Sequence, residues 1–268
     1  MINLGQFNLL GVQVTAVDYD GALNEIISAA HERRAFGVSA LAVHGVMTGF
    51  LDSTHRYRLN ELEMIVPDGQ PVRWGLNLLH NLSLQERVYG PTLMLLACKR
   101  AAEEGIPIFL FGGSVDLLDR LKQRLTTYCP DLKIAGARPS KFRKISPLEK
   151  QELIDEIRSS GAGITFVGLG CPRQEVWAFE FRHHLSMPVL AVGAAFNFHA
   201  GLLPQAPPHL QAMGLEWLYR LAKEPSRLWK RYLFLNPLYL AMLFVQWTHL
   251  RTFDSSNAVA PTSEILYG

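Results

Sequence analysis

The chain has 268 residues, 49% of them hydrophobic, enough to bury a sizeable core as one large domain or as one domain with an appendage. Its 26 Lys and Arg against 24 Asp and Glu leave a formal charge of +2, too small to argue for a nucleic-acid partner. Cys98, Cys129 and Cys171 show neither pairing arithmetic nor metal-ligand spacing, which suits a reducing compartment. The start MINLGQFNLL has no basic region, long apolar stretch or small-residue cleavage site, so no signal peptide is expected. No run reaches the roughly 20 apolar residues of a spanning helix.

Residues 7–17 (FNLLGVQVTAV) read as a hairpin or strand pair broken at Gly11, and 19–33 carry Ala22, Ile26, Ile27 and Ala30 at helical spacing. VSALAV at 38–43 is a buried strand ending at His44-Gly45. Residues 46–60 are expected to be helical, with Leu51 and Leu59 as core positions. Met64-Ile65-Val66 is a short strand that stops at Pro67-Asp68-Gly69, and helical spacing resumes over 70–80. After Arg87-Val88-Tyr89-Gly90-Pro91 a helix spans 92–104, with Thr92 as its cap. IPIFLF at 106–111 is a strand, followed by the turn Gly112-Gly113-Ser114 and a helix over 115–127. Residues 133–137 form another strand, and 147–159 a helix capped by Ser146.

At Ile164 an apolar strand meets Gly168-Leu169-Gly170, and a helix opens at Pro172. MPVLAV at 187–192 is the last strand, ending at Gly193. Strands alternating with long helices predict an α/β fold with a parallel sheet covered on both faces. Ligands in such folds sit beyond the C-terminal strand ends, so the loops at His44, Asp68, Gly112, Gly168 and Gly193 should share one rim. Glycines between strand and helix, Gly112 and Gly113 or Gly168 and Gly170, let a phosphate-bearing ligand approach the backbone, or serve only the packing of the turn. GLGCPR lacks the third glycine of the dinucleotide fingerprint.

Asp68 on that rim is a candidate general base, or else a turn or cap residue. Arg87 offers a planar fork to a phosphate, or a surface salt bridge. Gln174 and Glu175 follow Pro172 and could face the ligand, though Glu175 equally suits the helix dipole. His44 is the one histidine at a strand end. Beyond Pro204, residues 213–232 read as helical with a break near Pro225, and Arg220, Lys223, Arg227 and Arg231 fall close to one face. Residues 233–247 are almost wholly apolar. Basic residues beside aromatics and an apolar run suit an anionic membrane surface or a lipid diphosphate, while a core helix or a homo-oligomer interface would give the same run.

Seven segments together are similar to the WecG/TagA/CpsF family of bacterial glycosyltransferases: LLGVQV, VPDGQPVRWG, RVYGPTLM, IFLFGGS, VGLGCPRQEVW, VGAAFNFHAGLLPQAP and GLEWLYRLAKEPSRLWKRY. The resemblance covers nearly the whole chain and implies a Rossmann-like α/β domain, with no required metal. It implies inverting transfer from a UDP-sugar to a polyprenyl-diphosphate-linked saccharide, peripherally at the cytoplasmic face of the inner membrane. Asp68 then corresponds to the family's base, Arg87 to its diphosphate-binding arginine, and Gln174 to the glutamine of its Gly-x-Pro-x-Gln-Glu motif. Arg220, Arg227 and Arg231 are candidates for arginines brought in by a C-terminal appendage. On this reading 1–210 form the catalytic domain, 211–250 a membrane-associating helical appendage and 251–268 a loose tail.

The chain departs from the family pattern at Ala42-Val43-His44, at Thr92 and at Phe196-Asn197, where the family often has Thr-x-Asn, an aspartate and Phe-Asp. VHGVMTG with PDGQPVRW looks closest to the exopolysaccharide branch, some of whose members transfer glucuronic acid. Two rival readings are an NAD- or FAD-dependent oxidoreductase, and a non-catalytic membrane scaffold of a polysaccharide assembly complex.

Overall fold

The computed structural model describes residues 1–268, except for the side chains of Arg227, Lys230 and Arg231. The two candidate arginines among these therefore lie outside the described side chains. Strands β1 (Asn3–Leu9) and β2 (Val12–Val17) form an antiparallel hairpin over Leu10-Gly11. Both turn residues take positive φ, 56° and 87°, as a two-residue hairpin turn requires.

Six further strands build one parallel sheet: β3 (Phe36–Leu41), β4 (Met64–Pro67), β5 (Ile108–Phe111), β6 (Ile134–Arg138), β7 (Ile164–Val167) and β8 (Pro188–Ala191). Their spatial order is β4-β3-β8-β7-β5-β6. The helices are α1 (Tyr19–His31), α2 (Val43–Leu51), α3 (Ser53–Asn60), α4 (Gln70–His80), α5 (Gly90–Glu103) and α6 (Val115–Tyr128). They continue with α7 (Pro147–Ser159), α8 (Arg173–Leu185), α9 (Ala195–His199), α10 (Pro208–Ala212), α11 (Glu216–Lys223) and α12 (Pro225–Trp247).

The period-two alternation of the strands feeds two cores. Val38, Val66, Ile108, Leu110, Phe166 and Leu190 point toward α1, α5, α6 and α9. Leu41, Ile65, Phe109, Phe111, Val167 and Val189 meet the hairpin, α2, α3, α7, α8 and α12. Trp177 of α8 is fully buried and stacks between Phe111 and Phe181, at ring separations of 4.8 and 4.2 Å. Each such side chain contributes about 1.5–3 kcal/mol by leaving water.

Three local expectations change. Residues 46–60 are two helices, because Asp52 adopts an extended backbone and its carboxylate accepts the N–H groups of Thr54 and His55, capping α3. Leu51, at the end of α2, is therefore exposed while Leu59 is fully buried. Thr92 is not a cap: α5 begins at Gly90 and Pro91, with Tyr89 before them. The short helices α9 and α10, five residues each, give too little periodicity to read from sequence.

No helix among the described residues is long and apolar enough to cross a membrane. Helix α12 shares the core of the α/β unit. Leu228, Tyr239 and Leu243 are buried, and the Tyr239 hydroxyl donates to the Pro71 carbonyl at 2.8 Å. Gln246 clamps the hairpin turn, accepting from the Leu10 N–H and donating to the Asn8 carbonyl. Its other face leaves Leu233, Phe234, Leu240, Phe244 and Trp247 exposed.

The C-terminal residues, expected from composition to be loose, are instead tied down. The buried Glu180 carboxylate accepts the N–H groups of Ile265 and Leu266 at 2.7 and 3.0 Å, and Ile145 donates to the Leu266 carbonyl. Glu264 pairs with Lys150. Deleting residues 262–268 should leave Glu180 buried without these donors and cost about 2 kcal/mol, or ~4–8 °C in Tm. A thermal melt unchanged by the deletion would show that these contacts add no stability.

Candidate active site

The loops after β3, β4, β5, β7 and β8 surround a cleft of 970 Å³, bordered by His44, Asp68, Gly113, Gly168, Gly170 and Asn197. A second cavity of 90 Å³ adjoins it, bordered by Gln70, Arg87, Trp217, Tyr232 and Asn236. Ala42, His44, Asp68, Glu216 and Arg220 border both. The expected common rim is therefore present, and α11 roofs it.

Asp68 stands where the cavities meet. Its Oδ1 accepts the N–H of Gly90, the first residue of α5, at 2.6 Å. The carboxyl group is enclosed by protein mass while one edge opens to the cleft, and burial pushes its pKa up to about 6. Arg87, the Gly90 N–H and Arg220 favour the ionised form, while Glu216 opposes it.

Arg87 does not make the surface salt bridge that its local sequence favoured. Only 8% exposed, it donates to Glu216 Oε2 at 2.7 Å and to Gln211 Oε1 at 2.9 Å. Its guanidinium lies 4.1 Å from the centre of the Tyr89 ring, and the Tyr89 hydroxyl donates to Glu216 Oε1. Burial raises the Tyr89 pKa, which keeps that hydroxyl a donor. Arg87 borders the smaller cavity but not the larger. Among the described residues, the Lys or Arg bordering both is Arg220, whose guanidinium lies 5.7 Å from the Phe198 ring.

The glycine turns divide in role. Gly113, Gly168 and Gly170 border the cleft, whereas Gly112 does not. At Gly112 φ is +119° and an added Cβ would stand 2.8 Å from the Gly168 backbone, so its task is to let the two turns touch. Gln174 borders the cleft but is 3% exposed, and its amide is already committed. Its Oε1 accepts the Gly170 N–H, and its Nε2 donates to Glu175 Oε1. Glu175, expected beside the ligand, instead lies fully buried behind this wall, where the Ser39 hydroxyl donates to the same oxygen at 3.1 Å. Asn197 on α9 borders the cleft.

A model of the glycosyl transferase WecG/TagA/CpsF family matches residues 7–252. The chain belongs to that family. The match spans both the sheet and the α11–α12 segment, so the roof over Asp68 belongs to the glycosyltransferase as much as the sheet does.

Glu216, Tyr89, Tyr19 and Gln211 were not singled out from sequence. Tyr19 accepts the Tyr89 N–H at 2.9 Å and so holds the Arg87 loop. Glu216 sits within the GLEWLYRL block, where its place in a first helical turn suggests only dipole complementarity. Replacing Arg87 with Ala should leave Glu216 buried without its cation and destabilise the protein by about 3–5 kcal/mol. Chemical denaturation measures this, and a loss below ~1 kcal/mol would show the pair to be solvated.

Proposed function

We propose that this glycosyltransferase carries a sugar, with inversion, from a UDP-sugar to a polyprenyl-diphosphate-linked saccharide, with no metal in the reaction path. The observation that carries the reading is Asp68 where two adjoining cavities of unlike character share their border. The larger suits a nucleoside diphosphate. Helices α2, α5, α6 and α8 all start at its border, marked by His44, Gly90, Ser114 and Arg173, and turn their positive ends toward a developing phosphate charge.

The smaller cavity opens between Trp217, Tyr232, Leu235 and Asn236, beside the exposed apolar face of α12. That face, Leu233, Leu240, Phe244 and Trp247, follows helical spacing and suits the surface of a membrane, here the cytoplasmic face of the inner membrane. A lipid-linked acceptor lying there would present its hydroxyl to Asp68. Asp68 takes the hydroxyl proton as the oxygen attacks the anomeric carbon from the face opposite UDP. The bond to UDP breaks, and the leaving diphosphate meets the helix N-termini and Arg220.

Because a base must be ionised, kcat/KM should rise with pH through about 6 and level off above it. Asp68→Asn should abolish that limb and lower kcat by about 10²–10⁴-fold, with UDP affinity by calorimetry unchanged. Wild-type turnover in this variant removes Asp68 as the base. In the same calorimeter, tight NAD binding without UDP binding would return the oxidoreductase reading.

A further inference from the structure

We infer that His55, Cys171 and Glu175 form a binding site for one thiophilic divalent cation of the zinc class, behind the glycine wall of the cleft. One ligand atom from each residue lies within 4.8 Å of the others. His55 comes from α3, Cys171 from the loop after β7, and Glu175 from the first turn of α8, so an ion there would tie three elements together.

Two of the three donors are buried groups that protein atoms leave unsatisfied. His55 is 2% exposed and Glu175 is fully buried, yet His55 Nε2 and Glu175 Oε2 have no hydrogen-bond partner among the described residues. Most buried polar atoms find partners, and an orphan is destabilising. An ion held by these three residues would give both orphans a partner. The Cys171 thiol already hydrogen-bonds the Glu175 carboxyl group.

Thiolate, imidazole and carboxylate are the donors zinc takes, at about 2.0–2.3 Å, which sets tetrahedral donor–donor spacings near ~3.5 Å. The widest pair must then close by about 1 Å. Glu175 Oε1 is held by Ser39 and Gln174, as an outer hydrogen-bonding shell holds a ligand in metal sites, and Oε2 is left without a hydrogen-bond partner. Cys171 borders the cleft, giving the ion a way in and a fourth position for water. Binding replaces the thiol proton, which is released to solvent. The ion stands outside the proposed sugar-transfer path, and its test does not rely on that reading.

The full-length protein, stripped with chelator and titrated with Co²⁺, should take up one equivalent and develop a thiolate-to-cobalt charge-transfer band with the visible bands of tetrahedral cobalt. Added Zn²⁺ should bleach both. Cys171→Ser should lose the charge-transfer band, and Cys98→Ser should keep it. His55→Gln should raise the half-saturating Co²⁺ concentration about tenfold or more, since even outer-shell changes have effects of that size. Circular dichroism establishes that each variant is folded. Absence of the charge-transfer band in the wild-type protein, its survival in Cys171→Ser, or an unmoved half-saturation in folded His55→Gln overturns the inference. The wild-type titration decides the matter should a variant fail to fold.

Discussion

Arg87 and Glu216 lie 129 residues apart in sequence and meet at 2.7 Å in a place nearly closed to water. Neither ion can be buried alone without a penalty of several kcal/mol, so each is tolerated only with the other. The pair therefore fixes where α11 must lie: over the end of β4, beside the loop that starts α5. Gln211 and Tyr89 add hydrogen bonds to the two ions and leave little freedom for a different packing. From that one constraint follow the positions of Trp217 and Arg220, and with them the separation of one rim into two cavities.

The same pair sets the electrical surroundings of Asp68. Glu216 repels a second carboxylate while Arg87 attracts it, and burial, the largest influence on the group, decides the outcome. A carboxyl with a pKa near 6 is mostly ionised at neutral pH and holds a proton more firmly than an ordinary aspartate. The Gly90 N–H keeps the group from turning away, because Oδ1 is held by the start of a helix that Pro91 and the buried Leu93 anchor. Position and basicity are thus supplied by different neighbours. Arg87→Ala would disturb the basicity of Asp68 as well as the roof.

Much of the sheet was legible because buried parallel strands are short, apolar and bounded by glycine or proline, as at Ile164 and Ile108. The rim followed from topology alone: parallel strands end on one side, so five loops far apart in sequence had to meet. Roles were harder to read than places. Gln174 and Glu175 occupy the expected turn, yet one braces Gly170 and the other is buried against Ser39. A sequence shows that a polar side chain follows a glycine loop but not whether it faces the ligand or the core. The Arg87–Glu216 pair was invisible for a related reason, since partners at long range are chosen by tertiary packing and leave no local pattern. The tail is hard to read because small polar residues resemble a solvated end, whereas its backbone N–H groups supply the donors that the buried Glu180 needs.

Helix α12 reconciles two readings that composition alone could not separate. A helix apolar on all sides either lies in a core or meets an apolar surface. Here Tyr239 and Leu243 face the hairpin and α4 while Leu240, Phe244 and Trp247 face outward, so one segment meets both conditions. Gln246 marks the division, a polar side chain spent wholly on hairpin backbone. The inward face is what gives the outward one a fixed orientation: a stripe on a tethered, frayed helix would have no defined relation to the cleft. Because Leu235 and Asn236, midway along the helix, also border the smaller cavity, a surface that accepted the stripe would lie beside the cavity that reaches Asp68. On the proposed reading, the packing that stabilises the fold also aims the acceptor.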